Sequence, residues 1–215
     1  ELNAHLQGPE DTPDITVVQG HGTGGLREPI QLSIQGQYGD TSFAWKFKSE
    51  RPIEDLQLEK PWPIEGQIKI ADAQIDGRGT MTLTTTGEKF EFDGRLQGKS
   101  FNLIEHVFGI GPPQTGPYDF TYQVSIAEDN YRVRNIKGQM QGVGIWKRIL
   151  INQGEVTADA DGLLKGAVDG RFDDLPMTIA FEGGPGKSDQ AGQAVWPIKL
   201  AASSAGVNLN AEGAI

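Results

Sequence analysis

The chain contains no cysteine. This removes a disulfide framework, a thiolate nucleophile and a cysteine-ligated zinc, and leaves the redox compartment open. Histidine is nearly as scarce: His5, His21 and His106 are dispersed, and no pair has the spacing of a zinc-binding face. There is no run of about 18 apolar residues, so no stretch reads as a membrane-crossing helix. Positive charge is also in deficit. The formal net charge is −10 and the sequence pI is near 4.8. This argues against nucleic acid, whose phosphates need clustered Lys and Arg, and against anionic membrane surfaces as docking sites for the body of the chain.

Glycine and turn residues are abundant. The 215 residues include 29 glycines and 12 prolines, a composition that fits many short strands and turns in one large all-β domain or two smaller ones. The stretch Pro61 to Thr86 states the pattern. Ile64, Ile68 and Ile70 share one parity, and Glu65, Gln67 and Lys69 the other, the period-two signature of a strand with one dry and one wet face. After a break at Asp72, Met81 and Leu83 oppose Thr80, Thr82 and Thr84, so one strand turns directly into the next.

In chain order the same alternation predicts strands from Glu1 to Gln7, around Ile15 to Gln19 and from Ile30 to Gln35, with a glycine-rich turn over Gly20 to Gly25. Phe43, Trp45 and Phe47 line a strand after a turn at Gly39 and Asp40, and Arg51 to Pro61 is a connection without period. Phe90, Phe92 and Leu96 follow, then Tyr118, Phe120, Tyr122, Val124 and Ile126, the most regular strand of the chain. A hairpin turn is expected at Asp129 and Asn130. Further strands hold Ile149 and Ile151, Val156 and Ala158, then Val168 and Phe172, with breaks at Gly154 and at Asp161-Gly162. One short helix is expected over Asn102 to Phe108, where Asn102 and Glu105 fit a capping box and Gly109, Pro112 and Pro113 end it. The count is about a dozen strands.

Two phrases recur. Trp62-Pro63-Ile64 returns as Trp196-Pro197-Ile198, and Pro29 to Gly36 resembles Pro176 to Gly183, in the same order. The two Trp-Pro-Ile copies are about 134 residues apart, too long for a solenoid rung. The reading is a preceding β unit ending in residues 1–28, a full unit over 29–172 with the helix at 102–108, and the start of a second unit over 173–215. Alternation runs into both termini, so the sheet is expected to continue in a longer protein.

The order of a strand with Gly36 to Asp40, then Pro61-Trp62-Pro63, then Gly109 to Pro113, then Gly116 to Tyr118 opening a strand resembles the repeated unit of AsmA-like bacterial envelope proteins. The resemblance covers about Pro29 to Phe172 and much of the tail. It implies a periplasmic protein held to the inner membrane by an N-terminal helix absent from this chain. It also implies a long twisted sheet that forms a hydrophobic groove for lipid transport between the envelope membranes and for outer-membrane assembly. The expected fold is all-β: an elongated, twisted, mostly antiparallel sheet forming a groove or a partly open barrel or sandwich, with one short helix. The groove face would be Ile64, Ile68, Ile70, Met81, Leu83, Phe90, Phe92, Phe120, Tyr122 and Val124, and its ligand a phospholipid or other acyl chain, whose burial releases about 0.8 kcal/mol per CH2. No cofactor, metal or nucleic acid is expected, and self-association through cut sheet edges is.

An aliphatic sheet face can instead be covered by a second sheet, which gives the alternative: a non-catalytic β-sandwich module for carbohydrate or protein, with Trp45, Trp62, Trp146 and Trp196 as a platform. A transmembrane barrel ranks third, for want of aromatic girdles. The chain reads as no enzyme. Gly20-x-Gly22-x-x-Gly25 lacks the βαβ context of a dinucleotide site, and Gly98-Lys99-Ser100 lacks the upstream glycine of a P-loop. Asp159-x-Asp161-Gly162 starts like a calcium loop but has Gly170 at its twelfth position. The carboxylate pairs Asp72 with Asp76 and Glu54 with Asp55 read as solvated surface before they read as a glycosidase pair, and no serine sits in a nucleophile elbow.

Overall fold

A computed structural model describes residues 4–6, 15–100, 116–143, 146–184, 187–188, 194–195 and 197–214. The strands are β1 (Ala4–Leu6), β2 (Ile15–Thr23), β3 (Pro29–Tyr38), β4 (Thr41–Pro52), β5 (Trp62–Ile70), β6 (Ala73–Leu83), β7 (Glu88–Gly98) and β8 (Tyr118–Ala127). They continue as β9 (Asn130–Val143), β10 (Trp146–Ala158), β11 (Leu164–Phe172), β12 (Leu175–Gly183), β13 (Lys187–Ser188), β14 (Ala194–Val195), β15 (Pro197–Ser204) and β16 (Val207–Ala214). Fourteen of them form one sheet in the order of the sequence, from β1 to β12 and on to β15 and β16; β13 and β14 pair only with each other. Every pairing is antiparallel, and β1 does not pair with β16, so the sheet is open. The all-β expectation holds, in the form of an open sheet rather than a closed barrel or a two-sheet sandwich among the described residues. The helix expected over 102–108 lies outside the described residues.

The register carries the apolar parity from strand to strand. Trp45 faces Ile68, Ile68 faces Ile75, Ile75 faces Leu96 and Leu96 faces Phe120. Lys48, Glu65, Arg78 and Asp93 form a matching row of alternating charge on the other side. Each row is built of cross-strand neighbours close enough to interact, the elementary stabilising unit of a sheet. Tight turns hold this register. At Ala205-Gly206 and at Glu128-Asp129 both central residues have positive φ, the conformation whose twist matches the flanking strands.

Three local expectations are corrected. Gly20 to Thr23 belong to β2 and only Gly24-Gly25 turn, because Gly20 and Gly22 face Ile34 and Leu32 in the ladder. The β8–β9 turn sits one residue earlier than expected, at Glu128-Asp129, with Ala127 paired to Asn130. Gly154 does not break the chain: β10 runs through it past a bulge between Ile151 and Gly154. That extra residue moves the apolar parity from Ile149 and Ile151 to Gly154 and Val156, and β9 makes the same switch at positive-φ Asn135.

The sheet passes without interruption through residues 28/29 and 172/173, where β2 pairs β3 and β11 pairs β12. The two echoed phrases stand differently in it. β3 and β5 are separated by β4, whereas β12 pairs β15 directly, and the β13–β14 pair occupies the interval in the chain.

One layer leaves much surface in water. The chain exposes 14,261 Å², against about 9,700 Å² expected for a compact monomer of this mass. What core exists lies on the apolar face near the middle of the sheet, where Trp62, Ile64, Ala73, Tyr118 and Phe120 are buried. The buried Ser49 belongs with it: its Oγ accepts from Ile30 N at 2.9 Å and donates to Arg51 O at 2.7 Å, satisfying backbone beside the β4 irregularity.

Candidate functional site

The ten residues expected to form a groove lie on four adjacent strands and share one face. Ile64, Ile68 and Ile70 come from β5, Met81 and Leu83 from β6, Phe90 and Phe92 from β7, and Phe120, Tyr122 and Val124 from β8. Met81 faces Phe90, Phe92 faces Val124, and Tyr122 faces Gly94. Ile64 and Phe120 are buried and the other eight half-buried. Phe90 and Phe92 stack at 6.1 Å between ring centroids, and Tyr118 and Phe120 at 6.3 Å.

The same face extends further than the ten residues. Trp45, Phe47, Ile75, Leu96, Tyr118 and Ile126 continue it within β4 to β8, and Val133, Val156, Val168, Ile179 and Leu200 carry it toward β15. Parity alone would have found the first group; the second lies beyond the bulges that shift parity. Burial raises the phenols of Tyr118 and Tyr122 above the ordinary tyrosine range, and the charges of Asp72 and Asp76 add to it. The surroundings of these two phenols therefore disfavour their charged form.

Glycines shape this face. A Cβ at Gly94 would stand 2.4 Å from the Tyr122 ring, and one at Gly166 would stand 2.2 Å from the Phe181 ring. The aromatic side chains lie across the neighbouring strand's glycines, an arrangement that covers backbone otherwise left without a side chain.

The opposite face is polar and carries the chain's open hollows. One of them, about 720 Å³, is lined by Glu65, Gln67, Asp76, Arg78, Asp93 and Arg95 with Gln123, Asn135 and Lys137. Its groups are largely committed to each other. Asp76 accepts from Gln67 and Gln74 at 2.7 Å each, and Asp93 accepts from Gln123 at 2.8 Å. Arg95 holds Asp119 through two bonds of 2.8 and 2.6 Å, and this pairing lowers the Asp119 carboxyl below its usual range.

Other candidate groups stay apart. Asp72 accepts from Lys99 N and Ser100 Oγ at 3.2 and 3.3 Å, and Glu54 lies 3.8 Å from Arg27. Among the described residues no three His, Cys, Asp or Glu side chains group as metal ligands, and no helix is long and apolar enough to cross a membrane. Trp62, a member of the tryptophan platform considered above, is buried and donates Nε1 to Pro52 O at 3.2 Å, so its face does not meet solvent. The side chains of Trp146, Trp196, His5 and His106 lie outside the described residues.

Comparison with protein-family models, with curated proteins and with solved structures finds no match to this chain.

Proposed function

We propose that the chain is a segment of an AsmA-like protein of the periplasm, anchored to the inner membrane, whose apolar sheet face carries phospholipid acyl chains between the envelope membranes in support of outer-membrane assembly. The observation behind this reading is the open sheet: the register carries one apolar face from β4 to β15, and among the described residues the only other sheet is the two-stranded β13–β14 pair. A soluble protein that kept such a face for packing would bury it in a second layer. A face that receives hydrocarbon must stay accessible, and its dry, aromatic-rich surface offers acyl chains the transfer free energy of leaving water. The acidic, hydrogen-bonded opposite face keeps the sheet soluble.

The test is Ile68→Asp. Ile68 is half-buried in the middle of the face, so a carboxylate there retains water when no ligand is bound. The variant is expected to stay folded, with a stability loss of about 1 kcal/mol, and to lose most of the phospholipid that native mass spectrometry finds on the wild type. Wild-type protein free of lipid after exposure to phospholipid vesicles, together with a variant that unfolds, would reject the reading: that pair of results describes a sealed core with an unpaired buried charge.

A further inference from the structure

The polar face changes character along the sheet. Over β5 to β8 it is filled by long charged and amide side chains. Over β11, β12, β15 and β16 one register row reads Lys165, Glu182, Lys199, Glu212, and the next reads Ala167, Ala180, Ala201, Asn210. A third row holds Asp169, Thr178, Ser203 and Asn208. A hollow of about 670 Å³ lies over the second and third rows. The charged row is loosely satisfied within the chain: Lys165 to Glu182 is 3.7 Å and Lys199 to Glu212 is 3.8 Å, all four side chains being about half exposed or more.

The geometry points to this face as the interface of a symmetric dimer with a second copy of the chain. A two-fold axis parallel to the strands, midway between β12 and β15, reverses strand order and keeps position along the strand. Lys165 then opposes Glu212 of the second copy, and Glu182 opposes Lys199. Both contacts occur twice, as a two-fold interface requires. The alternation Lys, Glu, Lys, Glu is its own complement under that rotation. The other rows match too: Ala180 meets Ala201, Thr178 meets Ser203, and Asp169 meets Asn208. No like charges are opposed, which is the repulsion that most often forbids a face from pairing with itself. The small side chains of the second row let the two sheets approach closely.

A second copy supplies this charge sequence in reversed order at the strand spacing of roughly 4.8 Å. The matched patch spans four strands and five residues along each, on the order of 300 Å² per partner, which is below the standard interface size. The dimer is therefore weak and salt-sensitive. It uses neither the apolar face nor the sheet edges, so it stands apart from the lipid reading.

Sedimentation equilibrium of the 215-residue chain tests it. The wild type is expected to show a monomer–dimer equilibrium at tens to hundreds of micromolar protein, weakening as salt rises. Glu182→Lys places lysine against Lys199 of the second copy and should weaken dimerisation at least tenfold. Adding Lys199→Glu restores opposite charges across the axis and should return the affinity to within about threefold of wild type. Ala180→Arg, at a position exposed in the monomer, should abolish the dimer with no change in circular dichroism. The inference is overturned by a wild type that stays monomeric at millimolar concentration, by a dimer indifferent to Glu182→Lys or Ala180→Arg, or by failure of the double variant to recover.

Discussion

The middle of the sheet and its β15–β16 end share one apolar parity and differ in how much of it is hidden. In β5 to β8 the face holds Trp62, Ile64, Tyr118 and Phe120, all buried. In β16 Val207 is 70% exposed and Leu209 56% exposed, and their partners across β15 are Ser204 and Ala202. β5 to β8 each have a strand on both sides, whereas β16 is an edge strand that pairs only with β15 and meets serine and alanine there. In a single layer burial is supplied sideways, by large neighbours on the same face, and rows of serine and alanine supply little. Hydrophobic stabilisation follows the area removed from water, so the middle of the sheet should hold most of it.

The largest test of that contrast is truncation. Phe120→Ala removes a ring that stacks on Tyr118 and lies over Gly138, and should cost about 3 kcal/mol. Leu209→Ala should cost less than about 1 kcal/mol, because most of that side chain is already in water. Equal losses in denaturant unfolding would break the comparison and imply that the β16 face is covered in solution.

A smaller effect should separate two glycines. A Cβ at Gly79 would stand 1.8 Å from the carbonyl oxygen of Glu91, whereas one at Gly213 meets nothing within 4 Å. Gly79→Ala must move backbone and should destabilise by about 2 kcal/mol. Gly213→Ala should be neutral or slightly stabilising, since alanine restricts the unfolded chain. The melting temperatures of the two variants would sharpen the contrast between the crowded middle and the open end.

The smallest effect expected is on alkaline stability. The Tyr118 and Tyr122 phenols are raised above their ordinary value of 10.0, chiefly by burial. Above pH 10 the unfolded chain therefore releases these protons while the folded chain still holds them, and stability falls as pH rises. Their contribution is complete below pH 10 and lost as the pH passes the folded values. Urea unfolding between pH 9 and 11 should show this fall, with amide exchange rising first in β8. A rise confined to β15 and β16 would count against it.

Much of this was legible from parity. Ile64, Ile68 and Ile70 against Glu65, Gln67 and Lys69 placed β5 and both its faces, and Gly39-Asp40 placed the turn between β3 and β4. What misled was anything that shifts the count by one. The β9 and β10 bulges insert a residue at Arg134-Asn135 and Asn152-Gln153, so Gly154 read as a break when it is a strand interior. Gly20 and Gly22 read as a turn because glycine composition does not distinguish a bend from a strand position opposite a large aliphatic group. The openness of the sheet was not legible. An alternating strand has the same sequence whether its dry face meets another sheet or a ligand, and the residues of a candidate groove are those of a candidate core.

The order of the strands in the sheet is the order of the strands in the chain. Among the described residues nothing threads back, so each added hairpin needs contacts only with the last strand laid down. Because two strands restore the starting direction, a hairpin can be gained or lost without moving any loop to the other side or turning any face over. The span of such a sheet grows in steps of roughly 9.6 Å, two strand spacings at a time. Its width is thus a number that duplication or deletion of short segments can reset, while the chemistry of both faces stays as it was.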